Sequence, residues 1–102
     1  MPNQASDRLI WFNGEIIPQV EAKINIMTAT AQYGINVFEG IRCYYNKSED
    51  KLYAFRLKEH LERLYNSAKL LRFDLSNDLS FDNILLSTKE IIKANLYKED
   101  IY

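Results

Sequence analysis

Two of the three glycines of this 102-residue chain fall within one short stretch, residues 33–42 (YGINVFEGIR). Glycine weakens regular structure unless the backbone needs a positive φ, a bulge or a close approach by another group. Gly34 and Gly40 are therefore expected to have positional roles. Between them lies Glu39, which cannot be buried without a partner. The stretch predicts a loop that leads into a strand at a functional edge, and a tight turn before a core strand is the simpler alternative.

The length, charge and composition of the chain limit the size of its core and the kinds of partner that it can bind. A domain of this size buries roughly 60 to 70% of the surface that its unfolded chain exposes, so one modest core is expected. The formal net charge is −1, with both signs interspersed, which argues against nucleic acid or an anionic membrane as a partner. One cysteine and one histidine cannot form an internal disulfide or a protein zinc site. With no apolar run of ~20 residues, we expect a cytoplasmic, metal-free domain.

Sequence patterns in the first half of the chain predict two hairpins. Asn13 and Gly14, which have apolar residues on both sides, are the strongest short signal for a two-residue type I′ turn. Residues 22–26 alternate apolar and polar side chains and predict a short third strand. Residues 41–45 and 52–57 are aromatic and apolar on either side of a charged connector, and they predict the second hairpin.

Apolar residues in the second half recur at steps of three and four. This stripe predicts an amphipathic helix over residues 57–72. Ser80 is a suitable N-cap for another helix, which is expected to end near Asn95. Residues 100–102 are expected to begin a further strand.

The motif residues resemble those of a known enzyme family. Residues 32–34 (QYG) and 37–42 (VFEGIR) are similar to the N-terminal motif of the class IV aminotransferases, which are pyridoxal-phosphate enzymes, and look most like branched-chain amino acid aminotransferases. Residues 10–15 (IWFNGE) and 59–64 (EHLERL) continue the resemblance at similar intervals. Gln32 stands where the family often has histidine. This departure bears only on fine substrate preference and leaves the fold assignment intact.

The resemblance implies that residues 8–102 form the small N-terminal domain of a fold type IV aminotransferase, after a flexible terminus at residues 1–7. The expected fold is α/β (α+β), a mainly antiparallel sheet with two helices packed on one face. The family's Schiff-base lysine lies in a second domain outside this sequence, so the isolated chain is expected to be inactive. The intact enzyme is expected to be a homodimer that transfers the amino group of leucine, isoleucine or valine to 2-oxoglutarate.

Four residues are expected to contribute to the site of that enzyme. From the helical pattern alone, Arg63 is a solvated residue that pairs with Glu59 one turn earlier. The resemblance implies instead that Arg63 binds the phosphate of pyridoxal phosphate, for which a planar guanidinium is suited. It also implies that Tyr33 and Phe38 form the substrate side-chain pocket, with Tyr33 reaching across a subunit contact, and that Tyr102 lies beside the substrate.

Other motif residues are expected to have architectural roles. Glu39 and Arg42 are expected to pair with each other at the loop, and His60 is expected to be a structural hydrogen-bonding residue rather than an acid or base. Two other reactions of the same fold, D-amino acid transamination and aminodeoxychorismate lysis, remain alternatives. A non-catalytic binding or assembly domain is a third, which would lead if the gene ended at Tyr102.

Overall fold

A computed structural model describes residues 7–76 and 79–102. Most of the expected flexible terminus, residues 1–6, lies outside the described residues. None of the helices in the described residues could span a lipid bilayer. The helices and strands in chain order are β1 (Leu9–Phe12), β2 (Glu15–Pro18), α1 (Ala29–Tyr33), β3 (Cys43–Asn46), β4 (Lys51–Ala54), α2 (Leu57–Leu70) and α3 (Phe81–Ala94).

The first hairpin turns at the predicted dipeptide. Asn13 has a φ of 51° and Gly14 a φ of 91°, as a tight turn that needs positive φ at both central residues requires. Strands β1 and β2 pair antiparallel, with Phe12 opposite Glu15. The prediction of a two-residue turn is confirmed.

The second hairpin joins β3 to β4, which also pair antiparallel, with Cys43 opposite Ala54. Near the end of the chain, Ile101 forms an isolated antiparallel bridge to Cys43, with both backbone hydrogen bonds at 2.9 Å. In place of the strand expected to begin at residues 100–102, the structure has a single bridge, at Ile101. All strand pairing among the described residues is antiparallel and is divided between two two-stranded sheets.

The predicted third strand over residues 22–26 is wrong. Residues 22–25 have no regular structure and Ile26 begins a turn. Alternating side chains make a strand only where one face is buried and the backbone finds a partner, whereas Ile24 is 57% exposed and Ile26 is 73% exposed. Helix α1 follows, because Thr28 caps its N-terminus by accepting a hydrogen bond from the backbone of Ala31.

Helices α2 and α3 pack against each other, and α3 also packs against β1. The predicted apolar stripe of α2 supplies most of the buried apolar side chains in the described part of the chain, and β3 supplies one. They are Leu57, Leu61, Ala68 and Cys43.

Helix α3 begins and ends where its sequence predicts. The side chain of Ser80 accepts a hydrogen bond from the backbone N–H of Asn83 at 3.3 Å, and Asn95 is the C-cap. Asn95 also binds the first strand, because its Oδ1 accepts from the backbone N–H of Leu9 at 2.8 Å and its Nδ2 donates to the Leu9 carbonyl at 2.9 Å. Helix α3 is thereby attached to β1 at a part-buried polar contact.

Candidate active site between helix α2 and the loop before β3

The two glycines of the motif are required for different structural reasons. Gly34 is the C-cap of α1 and has a φ of 66°, a left-handed conformation in which glycine is favoured. Gly40 has a side chain packed against it, since a Cβ at this position would lie 2.7 Å from Cζ of Tyr102. The prediction that both glycines are positional is confirmed, and residues 34–42 form the predicted loop into β3.

The carboxylate of Glu39 lies between this loop and helix α2, and its side chain is only 8% exposed. Arg63 donates from Nε to Oε2 at 2.8 Å and from Nη2 to Oε1 at 2.7 Å. Nδ1 of His60 lies 2.9 Å from the same Oε1. The hydrogen bond from Arg63, and next that from His60, lower the pKa of Glu39 from 4.5 to about 2. Glu39 is therefore ionised at neutral pH and can only accept, so Nδ1 of His60 carries the proton.

The expected pairing of Glu39 with Arg42 is wrong. The guanidinium carbon of Arg42 lies 5.1 Å from the centroid of the Tyr102 ring, a distance at which a cation is attracted to an aromatic face. Gly40 and Arg42 thus both contact Tyr102, while Glu39 faces helix α2.

The pairing of Arg63 with Glu59 that the helical pattern alone indicates does not form. Glu59 lies 3.9 Å from Arg56 in an exposed pair, and Arg63 binds Glu39 instead. A bidentate contact with an enclosed carboxylate is stronger than an exposed pair one helical turn apart. The structural hydrogen-bonding role predicted for His60 is confirmed by its contact with Glu39.

Glu39 is the residue that the sequence pattern did not place correctly. One signal was available, since His60 and Arg63 are three positions apart and lie on one face of a helix. Two donors so spaced can reach a single acceptor, but the helix pattern does not say which acid supplies it.

One edge of the Arg63 guanidinium is not bound by any described residue. Its side chain is 68% exposed, and Nη1 forms no hydrogen bond with any residue that the structure describes. Beside the guanidinium lies a concave surface that encloses a volume of about 170 Å³. It is lined by Arg56, Glu59, His60 and Arg63. Arg56 is paired with Glu59 on this surface, so the group suited to an anion such as phosphate is the outer edge of the Arg63 guanidinium. Among the described residues, no three acidic, histidine or cysteine side chains are grouped to hold a metal ion.

The three aromatic residues expected at the substrate site are all exposed. Tyr33, the last residue of α1, is 78% exposed, Phe38 is 83% exposed and Tyr102 is 79% exposed. The structure brings Tyr102 beside Gly40, next in sequence to Glu39, so it lies near the partner of Arg63. No hydrogen bond or ring contact in the described chain joins Tyr33 to Tyr102.

Comparison with known proteins concerns the sequence and the fold of the chain. No family model matches the chain. A curated relative from Aquifex aeolicus, a probable branched-chain-amino-acid aminotransferase, is 44% identical over 92 residues, which are 90% of this chain and 29% of that protein.

Solved structures agree with the curated relative. The branched-chain aminotransferase of Thermoproteus uzoniensis with norvaline has a TM-score of 0.81 and 36% identity, covering 91% of this chain and 30% of that one. The branched-chain amino acid aminotransferase of Thermobaculum terrenum in its PLP-form (holo-form) has a TM-score of 0.79 and 35% identity, covering 95% of this chain and 31% of that one.

In sequence and fold, the chain matches the N-terminal domain of the fold type IV aminotransferases. Within that class, it matches the branched-chain aminotransferases, to which the three relatives described here belong. It spans 29% of the length of the Aquifex relative.

Proposed function

We propose that this chain is the N-terminal portion of a pyridoxal-phosphate-dependent branched-chain amino acid aminotransferase, here called the full-length enzyme. It would transfer the amino group of leucine, isoleucine or valine to 2-oxoglutarate. The observation that carries the proposal is the placement of Arg63. A guanidinium held by a nearly buried carboxylate, with its other edge open, lies in a chain that matches such enzymes over nine tenths of its length.

The chain's own contribution to cofactor binding would be Arg63. Its open edge would donate hydrogen bonds to the phosphate, while Glu39 keeps the guanidinium in place. When bound, the cofactor supplies an electron sink for chemistry at the α-carbon of the amino acid. The Thermobaculum terrenum relative in its PLP-form supports this choice of cofactor. The lysine that holds the cofactor covalently would belong to the second domain.

The chain's contribution to substrate binding would be its exposed aromatic residues. Tyr33, Phe38 and Tyr102 would enclose the aliphatic side chain, since ligand pockets are built mainly from apolar and aromatic walls with few polar groups. Arg42 and Gly40 would position the Tyr102 ring, because both contact it. The Thermoproteus uzoniensis relative, described with norvaline, supports an amino acid substrate with an aliphatic side chain.

The proposed homodimer would cover exposed apolar side chains in and just before α1. Ile26, Met27 and Tyr33 are each more than 70% exposed. Tyr33 would reach across this contact into the site of the neighbouring subunit. A cytoplasmic location remains a prediction from the sequence.

Expression of the complete reading frame tests the proposal. The purified protein should bind pyridoxal phosphate stoichiometrically and convert 2-oxoglutarate to glutamate with leucine, isoleucine or valine as donor. D-alanine and aminodeoxychorismate are the matched substrates for the other reactions of the fold. Turnover of either without turnover of leucine, or no cofactor binding at all, would contradict the proposal.

A further inference from the structure

We infer that Glu39 is a positioning residue for the cofactor phosphate and acts through Arg63. This inference rests on the proposed function. Glu39 accepts from Nε and from Nη2 of Arg63, so two of the three guanidinium nitrogens are held by one carboxylate. These two bonds fix the plane of the guanidinium. Nη2 also lies 3.5 Å from Nδ1 of His60, and Nη1, which no described residue binds, can donate to a ligand.

The difference in burial between the partners supports a positioning role. Glu39 is 8% exposed, whereas Arg63 is 68% exposed. An exposed arginine has many rotamers, and ordering it when a ligand binds costs side-chain conformational entropy. Because Glu39 already orders Arg63 in the unliganded chain, phosphate binding does not lose this entropy, and the binding free energy is more favourable.

His60 holds the carboxylate from a second side. Its Nδ1 lies 2.9 Å from Oε1 of Glu39, and it lies one turn before Arg63 on helix α2. Glu39 is thus held by two residues of one helix, while its own backbone lies between Phe38 and Gly40 in the loop. The carboxylate therefore connects the loop of the proposed substrate pocket to the proposed phosphate ligand.

The substitution Glu39→Gln tests the inference in the full-length enzyme, because it keeps the shape of the side chain and removes an acceptor oxygen that Arg63 needs. Apo enzyme is titrated with pyridoxal phosphate and, separately, with pyridoxal, which lacks the phosphate. The affinity for pyridoxal phosphate is expected to fall on the order of tenfold, a loss of ~1.4 kcal/mol. The affinity for pyridoxal is expected to stay unchanged. Glu62→Gln, an exposed acid on the same helix, is the control and should change neither.

A double variant separates positioning from general support of the fold. If Glu39 acts through Arg63, Glu39→Gln should weaken cofactor binding little further when Arg63→Ala is already present. If Glu39→Gln does not yield folded apo enzyme in a thermal melt, Glu39→Asp is measured instead. Its shorter carboxylate should weaken binding of pyridoxal phosphate and leave binding of pyridoxal unchanged.

Several outcomes would overturn the inference. They are wild-type affinity for pyridoxal phosphate in the Glu39 variant, an equal loss for pyridoxal, or full additivity with Arg63→Ala. If wild-type enzyme itself does not bind pyridoxal phosphate, the proposed function fails and the inference fails with it. If wild type binds and only Arg63→Ala weakens binding, the inference alone fails.

Discussion

Arg63 and Glu39 form a two-point contact between helix α2 and the loop before β3, with donor-to-acceptor distances of 2.7 and 2.8 Å. The two residues are 24 positions apart in the sequence. Their contact places the proposed phosphate ligand next to the loop that carries Phe38.

The ion pair should make the protein sensitive to acid. The pKa of Glu39 is lowered from 4.5 to about 2, so its ionised form stabilises the folded state. That contribution is fully present above the unfolded pKa and is lost as the pH falls from about 4.5 to about 2. The stability difference between wild type and Glu39→Gln should therefore shrink as the pH falls through this range. Denaturant midpoints at each pH measure it, and a difference that does not change below pH 4.5 would contradict the assignment.

Gly40→Ala should affect the substrate site more than the fold. The new Cβ would overlap the far end of the Tyr102 ring, and that exposed ring can move away at less than the ~1–3 kcal/mol typical of an overpacked core. In the full-length enzyme, KM for leucine should rise roughly tenfold, as expected for ~1.4 kcal/mol of lost contact. Steady-state kinetics and a thermal melt measure the two effects.

Gly14→Ala is the matched control for Gly40→Ala. Nothing lies within 4 Å of a Cβ at Gly14, but its φ is +91°, where an L-residue costs roughly 1–2 kcal/mol. Gly14→Ala should therefore lower the melting temperature and leave KM unchanged. Equal KM values for the two variants would mean that Tyr102 does not lie at the substrate site.

Asn95→Ala should destabilise the fold, because it detaches helix α3 from β1. The side chain makes two hydrogen bonds to the backbone of Leu9 and one to the carbonyl of Ile91 at 3.0 Å. At a net ~0.5–1.5 kcal/mol each, a loss of about 1.5–4.5 kcal/mol in the free energy of unfolding is expected by denaturant titration. Asn83→Ala, an exposed side chain on the same helix, should stay within ~0.5 kcal/mol. Equal losses would show that the Leu9 contact contributes nothing specific.

The 102-residue chain alone should show no transaminase activity, because the lysine proposed to hold the cofactor lies in the second domain. Incubation with pyridoxal phosphate, borohydride reduction and mass mapping should find no single stoichiometric adduct. Specific labelling of one lysine together with turnover of leucine would refute this prediction and the proposed division of the site.

Local signals in the sequence were enough for several elements. The Asn13–Gly14 turn needs only residues that tolerate positive φ, and the start of α3 needs only a Ser80 side chain that accepts from a nearby N–H. In each case the residues that decide the structure are neighbours in the sequence. Predictions of this kind were confirmed.

Contacts between distant segments were not predictable in the same way. Residues 22–26 have the alternation of a strand but no partner strand, and alternation alone cannot supply one. Glu39 and Arg42 are close in sequence, which favoured a local pair, whereas the tertiary fold turns Glu39 toward helix α2. The resemblance to a family predicts that Arg63 binds phosphate, and it does not predict that the carboxylate of Glu39 holds this arginine.

The most direct test of the proposed function is cofactor retention by Arg63→Ala compared with Arg56→Ala. Both arginines line the same concave surface, but only Arg63 has the two-point contact with Glu39, and Arg56 forms an exposed 3.9 Å pair with Glu59. A charge-assisted hydrogen bond to a phosphate contributes ~1.5–3 kcal/mol, which corresponds to roughly tenfold to a hundredfold in affinity.

The measurement is a titration of apo full-length enzyme with pyridoxal phosphate, paired with a thermal melt of each apo form. Arg63→Ala should weaken cofactor binding roughly tenfold to a hundredfold with little change in melting temperature, and Arg56→Ala should bind as wild type does. If Arg63→Ala retains wild-type affinity, or if Arg56→Ala loses as much, Arg63 is not the phosphate ligand.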